Sequence, residues 1–144
     1  TKSLHGINFF TTQIIYDPIS IKLFLRDYAN VCAAYKSAPK RIVLSFAPVS
    51  TKKDLEFLRW LGVVIPKTME QELFKADIGI GWRSIKIAAH ILQDILFFMQ
   101  EARIMVPLGI NIEHITCHNF ELSLQFINRL GKIYYDYMHV KSEG

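Results

Sequence analysis

The chain has 144 residues, 51% hydrophobic and 21% charged, enough apolar material for one packed core and too much for a disordered chain. A formal charge of +4 spread over 17 scattered Lys and Arg residues gives no stripe that could track phosphates, so nucleic acid is excluded as the expected partner. Two distant cysteines, Cys32 and Cys117, fit neither a disulfide framework nor a zinc cluster.

The opening Thr1-Lys2-Ser3-Leu4 has no charged-then-apolar leader, which with the cysteines sets the expectation of a cytoplasmic protein, present here as part of a longer chain. From Ile7 to Tyr16 the residues are β-branched and aromatic without Gly or Pro, as in a parallel strand buried on both faces. Asp17-Pro18 stops the strand and opens a helix, since Asp caps and Pro suits the first helical position. Ile21, Phe24, Leu25, Tyr28, Val31 and Cys32 recur at helical spacing and carry that helix to about Tyr35.

Arg41 to Ala47 reads as a second strand, ended by Pro48. Ser50 and Thr51 can cap a helix with Leu55, Phe57, Leu58 and Leu61 on its inner face and Gly62 as its stop, and Pro66 starts a short helix through Phe74. Ile85, Ala88, Ala89, Leu92, Ile95, Leu96 and Met99 predict a long helix over 82–103. Its stretch from Ile85 to Phe98 is broken by Lys86, His90, Gln93 and Asp94, so it falls short of the ~20 apolar residues that span a membrane. Ile110 to Ile115 forms a third strand, and Asn119 caps a last helix that Gly131 closes, leaving residues 132–144 as a tail.

Strands alternating with helices predict parallel pairing through crossover connections. Three strands are too few to close a barrel, which takes about eight. The inner sheet face then calls for a missing N-terminal portion or a second copy.

With the strands placed, three stretches resemble the methylenetetrahydrofolate reductase family. Gly6-Ile7-Asn8-Phe9-Phe10-Thr11-Thr12-Gln13-Ile14-Ile15-Tyr16-Asp17 looks like the family strand carrying Thr-Gln and then aromatics and Asp. Arg41 to Pro66 follows, with Pro48-Val49-Ser50 before its helix and Trp60-Leu61-Gly62-Val63-Val64-Ile65-Pro66 at its end. The last strand, Thr116, and the helix from Glu121-Leu122-Ser123 to Leu130-Gly131 complete the match. Leu44-Ser45 stands where the family usually has Pro-Gly, so the chain looks like a divergent branch.

The resemblance implies an α/β fold, the last three β/α units of a TIM-type (β/α)8 barrel with outer helices over residues 1–131. It implies an oxidoreductase of one-carbon metabolism, reducing 5,10-methylenetetrahydrofolate to 5-methyltetrahydrofolate with NAD(P)H, through FAD in the full-length protein. Catalytic residues would lie on earlier strands, so the fragment alone is expected to be inactive. The rival expectation is a non-catalytic β/α module that self-associates through its sheet face.

Gln13 is the first candidate for the folate pocket, because it sits near the C-terminal end of a strand and its amide both donates and accepts, as a pterin edge requires. The resemblance matches it to the family's folate-contacting glutamine. Alternation puts Thr11 on the same face and sends Thr12 to the other. Ser45 and Phe46 are expected at the same mouth, with Leu58 or Phe57 able to stack on an aromatic ligand. Asn111 and Glu113 share a face of the third strand, opposite Ile112 and His114. That alternation parts Glu113 from His114 and argues against a metal site with Cys117 and His118. Ile78-Gly79-Ile80-Gly81-Trp82 lacks the third glycine and preceding strand of a dinucleotide turn and reads as a loop.

Overall fold

The computed structural model describes residues 6–114 and 117–142, with the side chains of 117, 141 and 142 left out. Thr1-Lys2-Ser3-Leu4, His5, Ile115, Thr116 and the last two residues lie outside it, and with them the end of the third expected strand. The element order is β1 (Phe9–Ile14), α1 (Pro18–Ala34), β2 (Arg41–Phe46), α2 (Lys52–Trp60), α3 (Lys67–Leu73), α4 (Ile80–Glu101), β3 (Leu108–Ile112) and α5 (Phe120–Ser142), with a 3-10 turn, Cys117–Asn119, before α5.

The three strands form one parallel sheet in the order β1-β2-β3. This corrects the expectation of a TIM-type barrel. β2 is paired on both sides, while β1 and β3 each pair with β2 alone, so the described residues make an open α/β sheet with two free edges. Three strands cannot return to their starting edge, and residues from all five helices join the sheet in one core.

Alternation along β2 explains that packing. Ile42, Leu44 and Phe46 are all buried against the helices, whereas Arg41 on the other face is exposed. The helices meet them with Leu25 from α1, Leu55 and Leu58 from α2, Leu73 from α3, Ile91, Leu92 and Ile95 from α4, and Phe126 and Leu130 from α5. Burying each such side chain stabilises the fold by about 1.5–3 kcal/mol. Lys22 on α1 reaches Asp94 on α4 at 2.8 Å and fixes the two helices together.

Local chemistry sets the helix ends. Asp17 caps α1 by accepting from the Ile19 and Ser20 amides, with Pro18 in the first turn. Thr51 and Asp54 form a reciprocal capping box on α2. At the other end of α2, Gly62 takes φ +86°, its amide donates to the Arg59 carbonyl at 2.9 Å, and Val63 donates to Leu58 at 3.0 Å.

Gly131 does not close the last helix. α5 runs through it to Ser142, and the Tyr134 hydroxyl donates to the Leu108 carbonyl at 2.7 Å, so residues beyond 131 are tied to the sheet. Among the described residues no helix is long and apolar enough to cross a membrane.

Candidate functional site

Polar residues gather toward the C-terminal ends of the strands, with Ser45 fully buried and Asn111 and Glu113 half-buried. Ser45 of β2 pairs in register with Asn111 of β3. The Asn111 amide lies 3.5 Å from the Ser45 hydroxyl and 3.4 Å from Oε1 of Glu113, so three of the expected site residues form one contiguous row. The Glu113 backbone amide donates to Phe46 at 2.8 Å, which extends the strand pairing one residue past β3.

On β1 a bulge interrupts the ladder. Thr11 pairs with Val43 and Ile14 with Ser45, so Thr12 and Gln13 together stand opposite the single residue Leu44. Such an insertion strands backbone amides, and side chains here take them up. The Thr12 hydroxyl accepts from the Ser45 amide at 3.0 Å, and Oε1 of Gln13 accepts from the Ile14 amide at 3.0 Å. Gln13 Nε2 then donates to the carbonyl of Leu61, at the end of α2, at 3.2 Å. Gln13 and Thr11 are both exposed, and Gln13 keeps one N–H and one lone pair for a ligand.

Two expected lining residues sit elsewhere. Phe46 continues the helix-facing series of β2 and Leu58 faces inward from α2; both are fully enclosed by the core. Adjacent strand residues cannot share a face, so burying Ser45 beside Asn111 sends Phe46 to the helices. Phe57 and Trp60 stack at 5.8 Å in the last turn of α2, just before the Leu61 that Gln13 bonds, with Trp60 79% exposed.

A polar knot secures the other end of α2. One carboxylate oxygen of Asp54 accepts from the Ser50 amide (2.8 Å), the Ser50 hydroxyl (2.9 Å), the Thr51 amide (2.9 Å) and the Asn119 amide group (3.3 Å). The Ser50 hydroxyl also lies 2.5 Å from Oδ1 of Asn119. Burial opposes the charge on Asp54, but the bonds from Ser50, Asn119 and Thr51 outweigh it and hold the carboxyl below its ordinary range. Burial pushes the Tyr16 hydroxyl far above its usual value, and the Asp54 charge adds to that, so Tyr16 stays neutral. Thr51-x-x-Asp54 was readable as a cap, but no sequence signal joined it to Asn119, 65 residues away from Asp54.

His114 turns away from Glu113, with Nδ1 3.1 Å from the Ser123 hydroxyl and its ring edge-on to Phe120. Among the described residues no group of three or more His, Cys, Asp or Glu is placed to hold a metal ion; the Cys117 side chain is outside them. Gly81 serves packing, since a Cβ there would come within 3.2 Å of Leu122.

Beside Gln13 a cleft of about 240 Å³ is bounded by Ile15, Tyr16, Ser20, Gly62 and Val64. Ligand pockets usually span roughly 300–1,000 Å³, so this cleft suits a ring system with the remainder of the molecule outside it. A larger cavity, about 470 Å³, lies between α3 and α4. Its buried Arg83 is already ion-paired with Glu72 and Asp77, and its lining includes none of the strand-end polar groups.

No family model and no curated protein matches the chain. Among solved structures it is similar to an uncharacterized protein from Clostridium thermocellum that binds two copies of 5-methyl-5,6,7,8-tetrahydrofolic acid. The two are 29% identical with a TM-score of 0.72, over 87% of this chain and 44% of the other, so the chain spans less than half the length of that protein.

Proposed function

We propose that this chain binds a reduced folate of the 5-methyltetrahydrofolate class at the C-terminal ends of its strands. The observation that supports the reading is that Gln13 on β1 and the Ser45–Asn111–Glu113 row across β2 and β3 stand toward the C-terminal ends of neighbouring strands, in a fold similar to that of a protein that binds this ligand. A pterin presents adjacent N–H donors and a carbonyl acceptor. Gln13 offers one donor and one acceptor, Glu113 offers a carboxylate for paired N–H groups, and Phe57 with Trp60 offers a stacking surface.

The experiment is a calorimetric titration of 5-methyltetrahydrofolate into wild type, Gln13→Ala and Glu113→Gln. Each variant is expected to weaken binding about tenfold, the worth of one well-made hydrogen bond to a buried ligand group. Wild-type protein that takes up no ligand would sink the reading.

The finer reading is reduction of 5,10-methylenetetrahydrofolate to 5-methyltetrahydrofolate with NAD(P)H, through FAD. Gly81 makes room for the Leu122 side chain, so the two glycines at the start of α4 lend a dinucleotide site no support. No hydride step is therefore assigned to this chain, and the reductase activity is proposed only for a longer protein that contains it. Flavin absorbance in such a protein would separate the flavin route from a flavin-free one.

A second reading, self-association through the sheet, is favoured by Phe9, which is 55% exposed on the uncovered face. It predicts a dimer by light scattering that Phe9→Glu dissociates. A monomeric wild type removes it.

A further inference from the structure

The amide of Gln13 is not free to rotate. Oε1 is engaged by the Ile14 amide and Nε2 by the Leu61 carbonyl, so the two ends of the group are told apart and the remaining donor and acceptor point in fixed directions. The Leu61 carbonyl is available because the turn after α2 draws on the carbonyls of Leu58 and Arg59. Leu61 in turn is placed by α2, a helix spanning about 10 Å between Asp54 and Leu61. At its far end α2 is held by the knot in which Asp54, Ser50 and Asn119 join it to the turn that starts α5.

We infer that α2 acts as a strut that sets the orientation of the Gln13 amide, and that Asn119 and Asp54 are positioning residues for the ligand site. Neither touches the cleft beside Gln13. Both act through the helix, so that a bond between α2 and α5 governs which way a group on β1 presents its donor and acceptor. The inference rests on the folate reading for its consequence in binding, but its structural half stands without a ligand.

The test uses Asn119→Ala, which removes the bridge to Asp54 and Ser50 and leaves the α2 capping box in place, with Asn119→Gln as the conservative rescue. The first readout is the pair of Gln13 side-chain amide proton signals by NMR in the free protein. In wild type the proton bonded to Leu61 is expected downfield and slow to exchange; in Asn119→Ala the pair moves toward the values of a free glutamine, and in Asn119→Gln it returns. Lys22→Met, which breaks the α1–α4 ion pair, controls for lost stability alone and is expected to leave those signals where they are.

The second readout is 5-methyltetrahydrofolate affinity. Asn119→Ala and Gln13→Ala are each expected to lose about tenfold, and the double variant no more than either, because one acts through the other. Additive losses, or unchanged Gln13 signals in Asn119→Ala, overturn the inference. If wild type binds no 5-methyltetrahydrofolate, the functional reading fails while the NMR comparison still decides the strut.

Discussion

Gln13 has two duties, and they make opposite demands. Its oxygen repairs the ladder at the bulge and its nitrogen anchors the end of α2, so Gln13→Ala leaves the Ile14 amide and the Leu61 carbonyl without their bonds. A stability loss of about 1–3 kcal/mol is expected on denaturant titration, since the amide of the buried Ile14 is left without its acceptor. Gln13→Glu keeps the acceptor for Ile14 but sets an oxygen against the Leu61 carbonyl, so its loss is expected to be larger at pH 7 than at pH 4, where the carboxylic acid can donate.

Asp54 gives a second pH effect. Its folded-state pKa lies below the ordinary 3.8, so its contribution is complete above that value and is lost as pH falls through the lowered one. Wild-type stability should therefore drop below about pH 4 more steeply than that of Asp54→Asn, as followed by acid titration of the circular dichroism. A parallel decline of the two proteins contradicts the carboxylate's role. Asn111 and Glu113 were legible as neighbours on one strand because alternation follows directly from residue spacing, whereas the bulge between Thr11 and Ile14 was not. Phe46 and Leu58 were not, because both the mouth and the core accept apolar residues.

At the scale of elements, the three strands and the helices follow from hydrophobic spacing and from the Asp17-Pro18 and Thr51-x-x-Asp54 starts. Gly131 misled because a glycine after an apolar run signals a stop, yet Ile133, Tyr134 and Tyr137 continue the buried side of α5 beyond it. The space beside Gly131 is open, and nothing lies within 4 Å of a Cβ built there. Gly131→Ala should therefore raise stability by about 0.5–1 kcal/mol, read as a higher melting temperature. The same change at Gly81 meets Leu122 and should give no such gain. The bond between Asn119 and Asp54 was beyond sequence reasoning, because it depends on where α2 and α5 come to lie.

For the whole molecule, the governing fact is that one strand of three is paired on both sides. Amides of β2 should be the slowest to exchange with deuterium, while those on the outer edges of β1 and β3 should exchange early. Equal protection across all three strands would mean that another chain covers the edges in solution. The barrel expectation failed for a topological reason: strand and helix order is written in the sequence, but closure is not, and the described strands form an open sheet.

The bulge in β1 makes the site a matter of counting as well as of chemistry. Because the strand holds one residue more than its partner, the length of the segment, and not only its composition, chooses which side chain reaches the end of α2. Deleting Thr12 would straighten the ladder and put Gln13 in step with Leu44, a helix-facing position, exchanging a presented amide for a buried one. A single lost codon could thus silence the site while every residue now lining it remained in the chain.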